Sequence, residues 1–159
     1  MHDEISSRIA KLLTEREETV SVAESSTGGL ISANLLSIPG ASSYFLGGSV
    51  VYTLASRRAF LDLDREKVKN LKPLTTEMVE EFAHAARLKL DATWGIAELG
   101  ATGPAGTPYG HGPGVSVIGI SGPKTASILI ETNSDDRQAN MQTFTRSALE
   151  FFEETLLLD

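Results

Sequence analysis

The sequence predicts a three-layer α/β/α sandwich around a mixed, mostly parallel central sheet of about five strands, and three observations carry that prediction. Helical segments separate the first three β-rich segments, and strands joined through helices pair in parallel by crossover. The last two β-rich segments flank Ser121-Gly122-Pro123-Lys124, a tight-turn composition that joins antiparallel neighbours. The helical stretches carry apolar stripes that need a sheet face to cover them.

The elements follow in order. Ile5, Ile9, Leu12 and Leu13 fall on one helical face, so residues 3–17 read as an amphipathic helix. Thr19 to Glu24 is short and β-branched between turn signals, and reads as a strand. Leu30 to Ser37 reads as a helix ended by Pro39-Gly40, and Gly48 to Thr53 as a second strand. Residues 56–61 and 64–71 read as short helical pieces. Thr75 to Leu90 is the clearest helix, with Thr75 or Thr76 as cap and Met78, Phe82, Ala86 and Leu90 at every fourth place. Thr93 to Leu99 is a third strand, and a Gly/Pro-rich loop runs from Gly100 to Gly114. Val115 to Ser121 and Ala126 to Thr132 form the hairpin. A helix from about Asp135, striped by Met141, Phe144, Ala148, Phe151 and Phe152, closes the chain. With 159 residues and no linker or repeat, 1–159 reads as a single domain.

Composition narrows the chemistry. Fourteen basic against 21 acidic residues give a net charge of −7 and no Lys/Arg stripe, so nucleic acid is not an expected partner. No cysteine is present, which removes disulfides, thiolate nucleophiles and Cys-ligated metals. The three histidines are far apart and have no paired spacing, so no metal and no other cofactor is expected. No stretch approaches the ~20 apolar residues of a membrane span, and a cytoplasmic protein with no membrane partner is the expectation.

Two glycine-rich turns each follow a predicted strand, where ligands of open α/β sheets collect. In Glu24-Ser25-Ser26-Thr27-Gly28-Gly29, Ser26 or Thr27 can cap the next helix, and the glycines let backbone N–H groups approach a ligand. A hydroxyl or anion there would sit in the positive potential of a helix start. The second turn is Gly100-Ala101-Thr102-Gly103-Pro104-Ala105-Gly106-Thr107-Pro108. Each is also what an ordinary helix start or an ordinary loop looks like. Neither is a phosphate-binding Walker loop, and no G-x-S-x-G elbow occurs.

Four blocks in order carry a resemblance: ESSTGG after a short strand, PGASSYFLGGSVVYT, GATGPAGTP before a Val-rich strand, and DDR before the last helix. The series resembles the CinA C-terminal (nicotinamide-nucleotide amidohydrolase) family, as a divergent member, over nearly the whole chain. The resemblance implies the α/β/α sandwich, a homodimer, and metal-free hydrolysis of the nicotinamide mononucleotide carboxamide to nicotinate mononucleotide and ammonia. It implies Ser25 as nucleophile, Tyr52 as the tyrosine of the second block, and Arg137 as a positioning arginine. Ser26, Thr27, Gly28, Gly29, Gly100, Thr102 and Gly103 then line a nucleotide-like ligand, with N–H groups near Gly28 or Gly103 holding an oxyanion.

At two positions the chain departs from the family pattern. The lysine that pairs with the serine is Arg57 here, and the Ser/Thr before the second glycine turn is Leu99. A lysine amine can lose its proton when burial and positive neighbours depress its pKa, whereas a guanidinium stays protonated in proteins. Arg57 therefore suits a phosphate or carboxylate and not the general-base role. Glu98 is a candidate base, since a partly buried carboxylate binds protons more tightly. Against it stand a salt-bridged or water-facing edge residue, and strand alternation, which assigns the family hydroxyl's direction to Leu99. Two function classes follow: an amidohydrolase of the resemblance type, and a catalytically idle relative that binds a nucleotide-like ligand or a protein partner. A different hydrolase using Ser25 with Glu98 or a water is a third.

The other polar residues read as follows. His111 either meets a ligand or is solvent-exposed, and His84 lies on the surface of its helix. Tyr52 either stacks on a nicotinamide-like ring, donates a hydrogen bond or is a core aromatic, and Trp94 is core. Asp62, Asp64, Arg65, Glu66 and Lys67 form a solvated face. Arg137 either binds ligand or pairs with Asp136 or Glu131.

Overall fold

In the computed structural model, which describes residues 1–158, five strands form one sheet in the order β2-β1-β3-β4-β5. The elements are α1 (Asp3–Arg16), β1 (Val20–Glu24), α2 (Leu30–Leu36), a 3-10 turn (Ala41–Ser43), β2 (Phe45–Val50), α3 (Leu54–Phe60), α4 (Arg65–Val68), α5 (Thr76–Lys89), β3 (Trp94–Ala101), β4 (Val115–Ser121), β5 (Ala126–Glu131) and α6 (Arg137–Leu157). β1 pairs in parallel with β2 and β3, while β4 is antiparallel to both β3 and β5. Four strands therefore point one way and β4 alone is reversed, which is the mixed sheet expected.

Alternation sorts the strand residues into two cores. Val20, Val22, Trp94, Ile96, Ile118 and Ile120 pack against Ile9, Leu13, Ile31, Leu35 and Phe152 of α1, α2 and α6. Ala23, Ala97, Leu99 and Val117 face the opposite way, under Val79, Phe82 and Ala83 of α5. Trp94 meets Phe152 edge-on at 5.8 Å between ring centres, and its indole N–H donates to Glu18. Small residues let α5 approach closely: a methyl on Gly119 would stand 2.7 Å from the Val79 carbonyl.

Several boundaries differ from the sequence reading. β2 spans 45–50 and not 48–53, because Phe45 pairs with Val20 and the strand has left the sheet before Tyr52. β3 runs two residues past Leu99, because the antiparallel ladder with β4 continues to Ala101 opposite Val115. The 56–61 piece is a helix over 54–60, started by a Thr53–Ser56 capping box. The last helix starts at Arg137, capped by the Asp136 carboxylate on Ala139 N–H at 3.1 Å.

Candidate functional site

β1 and β3 lie side by side in parallel, and Glu24 is in register with Glu98. Both carboxylates point to the α2/α6 side, and both are fully buried. The chain after Glu24 turns over them, and the turn is built on their oxygens.

Glu24 holds the start of α2. Its Oε1 accepts Ile31 N–H at 3.0 Å, and its Oε2 accepts Ser32 N–H at 2.9 Å and the Ser32 hydroxyl at 2.8 Å. A carboxylate on the first-turn N–H groups satisfies donors a helix start leaves free and suits the positive end of the helix dipole. This corrects the expectation that Ser26 or Thr27 caps α2: the N-cap position is Gly29, in the left-handed region at φ 104°, with no side-chain cap. The sequence signal was the glutamate itself, which strand periodicity alone does not mark as a cap.

Glu98 holds the turn from below. Its Oε1 accepts Ser25 N–H at 3.2 Å and Thr27 N–H at 3.0 Å. Its Oε2 accepts the Ser26 hydroxyl at 2.6 Å and the Ser116 hydroxyl at 2.9 Å. The Thr27 hydroxyl lies between the carboxylates, 2.6 Å from Glu24 and 3.1 Å from Glu98. Burial pushes Glu98 above its ordinary 4.5; its hydrogen bonds from Ser26, Thr27 and Ser116 pull the other way, and the Glu24 charge adds to the rise. Gly100 makes the room, since a methyl there would overlap the Ser26 hydroxyl and lie 2.7 Å from Glu98 Oε2.

Contrary to the expectation of a salt-bridged or water-facing edge residue, Glu98 is buried without an ion pair among the described residues, because β3 is the central strand of the sheet. Alternation sends it under the serine turn and sends Leu99 to the α5 side. Leu99 is 2% exposed and supplies packing where the family pattern has a hydroxyl.

Ser25 and Ser26 are both buried. The Ser25 hydroxyl has no hydrogen-bond partner among the described residues, and its N–H is shared between the Glu98 carbonyl at 3.0 Å and the Glu98 carboxylate. Gly28 N–H already donates to the Ser25 carbonyl at 3.1 Å, so it is not free to hold an oxyanion as expected. Gly28 and Gly29 both sit at positive φ, which explains glycine at each.

Tyr52, Gly103 and Arg137 come together. Arg137 Nη1 donates to the Gly103 carbonyl at 2.6 Å, and Nη2 donates to the Tyr52 hydroxyl at 3.3 Å. Arg137 pairs with neither Asp136 nor Glu131, contrary to one expectation, because its guanidinium crosses to the second glycine turn. Tyr52 is 53% exposed, which overturns the core-aromatic reading. Thr102 is buried, and its carbonyl accepts the Asn140 side-chain N–H at 2.9 Å. Asn140, which also ties Ser134 and Thr132, was missed by sequence reasoning because an asparagine in an amphipathic helix carries no signal of its own.

Arg57 lies on the α5 side. Its Nε donates to the Val51 carbonyl at 3.1 Å, and its guanidinium carbon lies 5.1 Å from the Phe82 ring centre. Desolvation lowers its pKa, against the opposing pull of Tyr109 and Glu98. His111 is tied back into its own loop by Thr107, at 3.2 Å from Nδ1. His84 is half-buried 3.5 Å from the Ser121 hydroxyl, and so is not simply a surface residue. Among the described residues, no helix is long and apolar enough to cross a membrane.

The order of strands, the paired glutamates under the ESSTGG turn and the second turn closed by Arg137 now stand together, and a family model described as the CinA C-terminal domain matches residues 2–156. The chain belongs to the CinA C-terminal domain family. It is 36% identical over 121 residues to a CinA-like protein of Cyanothece sp., covering 76% of this chain and 29% of the relative. It is also 36% identical over 144 residues to a CinA-like protein of Prochlorococcus marinus, covering 89% and 34%. The chain spans about a third of the length of these curated relatives. Among solved structures, the competence/damage inducible protein CihA of Agrobacterium tumefaciens superposes with a TM-score of 0.87 at 26% identity, covering 98% of this chain and 94% of its own. The competence damage-inducible protein A of Klebsiella pneumoniae shares the fold at a TM-score of 0.88 and 23% identity, over 96% and 95%.

Proposed function

We propose that this CinA-type domain binds a pyridine-nucleotide-type ligand beyond the carboxyl ends of β1 and β3, and that the serine–lysine amidase step implied by the family resemblance is lost. One observation carries the reading: among the described residues, no group that can lose and regain a proton is hydrogen-bonded to the Ser25 hydroxyl. The residue at the lysine position is a guanidinium, held by Val51 and Phe82, and a guanidinium does not act as a base. Leu99 removes the second hydroxyl. Ligand recognition has its own support in Tyr52 and Arg137, placed together against Gly103. In this reading Tyr52 stacks on the ring and the cation at 137 faces the phosphate.

A second reading, hydrolysis of the same carboxamide, has the 2.6 Å bond from Ser26 to the buried Glu98 in its favour. There Glu98 takes the Ser26 proton as the serine oxygen bonds to the carboxamide carbon and passes it to the departing nitrogen, which leaves as ammonia; water then cleaves the acyl-serine ester to the carboxylate and restores the serine. Incubation with nicotinamide mononucleotide, with ammonia release and calorimetric binding measured in parallel, separates the two. Binding without ammonia in the natural chain, and ammonia gained in Arg57→Lys, supports the idle binder. Ammonia released by the natural chain and abolished in Glu98→Gln and in Ser25→Ala or Ser26→Ala establishes the hydrolase. Absence of binding refutes both. A homodimer of the cytoplasmic protein belongs to the same proposal, and sedimentation tests the dimer.

A further inference from the structure

The α5 side of the sheet carries a feature the site reading does not use. A groove of about 840 Å³ runs between α3, α4 and α5, with Tyr109 also in its lining. Its volume falls within the roughly 300–1,000 Å³ of small-molecule sites. Leu54, Leu63 and Met78 make an apolar floor, and three guanidiniums, Arg57, Arg58 and Arg65, line it. None of the three forms an ion pair with a carboxylate among the described residues. The one carboxylate in the lining, Asp62, is taken by Lys89 at 2.7 Å.

Such a cluster is unexpected in a chain of net charge −7, where exposed acids are plentiful. Arg57 is half-buried, with its Nε on the Val51 carbonyl and its face on Phe82, while its terminal nitrogens have no partner among the described residues. Those nitrogens are not closed off from water, so they are free to donate to an anion that enters the groove. An anion alone would not need the apolar floor, and an apolar ligand alone would gain nothing from three uncompensated charges.

We infer that this groove is a binding site for a nucleoside phosphate, its base on the apolar floor of Leu54 and Leu63 and its phosphates on Arg57, Arg58 and Arg65. The site rests on the reading above only through Arg57, which joins the groove to the β1 end. Val51 links them: its N–H donates to the Glu24 carbonyl at 2.8 Å, and its carbonyl accepts Arg57.

Isothermal titration calorimetry of the whole chain with adenosine diphosphate tests this, with adenosine and inorganic pyrophosphate as partial ligands. The expected result is saturable binding of the diphosphate, with adenosine and pyrophosphate each at least about tenfold weaker. Affinity falls at least about tenfold in Arg58→Ala/Arg65→Ala, two exposed positions at which circular dichroism checks that the fold is kept. It also falls with added salt. No heat at millimolar diphosphate, pyrophosphate binding as tightly as the nucleotide, or an unchanged affinity in the double variant overturns the proposal. Arg137→Ala tests the other site separately. Nicotinamide mononucleotide binding lost there, with diphosphate binding untouched by the double variant, leaves that reading standing and removes the groove. Diphosphate binding lost in the double variant supports the groove whether or not nicotinamide mononucleotide binds.

Discussion

Replacing Glu98 by alanine and by glutamine should give two very different proteins, and the difference follows from counting acceptors. Five donors reach its carboxylate. Three have another acceptor: Ser25 N–H has the Glu98 carbonyl, the Thr27 hydroxyl has Glu24, and the Ser116 hydroxyl has the Leu99 carbonyl at 3.1 Å. The Ser26 hydroxyl and Thr27 N–H have none. Alanine strands these two in a buried site at about 1–3 kcal/mol each, so Glu98→Ala costs about 2–6 kcal/mol of the roughly 5–15 kcal/mol that hold a domain folded. Glutamine keeps the Oε1 acceptor, its amide can donate to the Ser26 oxygen, and the desolvated charge beside Glu24 is gone. Glu98→Gln should stay within about 1 kcal/mol of the natural chain. Urea unfolding followed by circular dichroism reads both. Equal losses in the two variants, or no loss in Glu98→Ala, would refute the idea that this carboxylate holds the turn through its acceptors.

The raised pKa of Glu98 has a pH signature. The folded state binds its proton more tightly than the unfolded state, so this group's contribution falls as pH rises from 4.5 through the folded value and is flat above it. Unfolding curves across that window should show the slope in the natural chain and lose that part of it in Glu98→Gln. Gly100→Ala would overlap the Ser26 hydroxyl and crowd Glu98, and a drop of about 1–3 kcal/mol in unfolding free energy is expected, against none if the turn yields freely. Asp136→Ala removes the side-chain cap of the 21-residue α6, and thermal unfolding should register about 1 kcal/mol. An unchanged melting temperature would show that the first turn of α6 carries no strain from an unmet N–H.

Residues 3–17 and 75–90 were legible as helices because each buries one stripe, and periodicity reports a stripe directly, while 30–37 was legible from the turn signals that bound it. The hairpin was legible from Gly122-Pro123, and the two glycine turns from composition. Strand ends were less so. β2 begins at Phe45 because of what β1 offers across the ladder, and a ladder partner leaves no mark on the strand that uses it.

The sequence by itself determined the family, the fold class, the absence of thiol chemistry, and the fact that position 57 carries a charge that cannot act as a base. The order of the motifs and the apolar periodicity carry the first two, and residue type alone fixes the last two. Only the tertiary structure decided the role of Glu98, because its surroundings come from Ser26, Ser116 and the register with Glu24. The same holds for Arg137, whose partners lie 34 and 85 residues away along the chain. A side chain's identity travels with the sequence, whereas its solvation and its neighbours exist only once distant strands have paired.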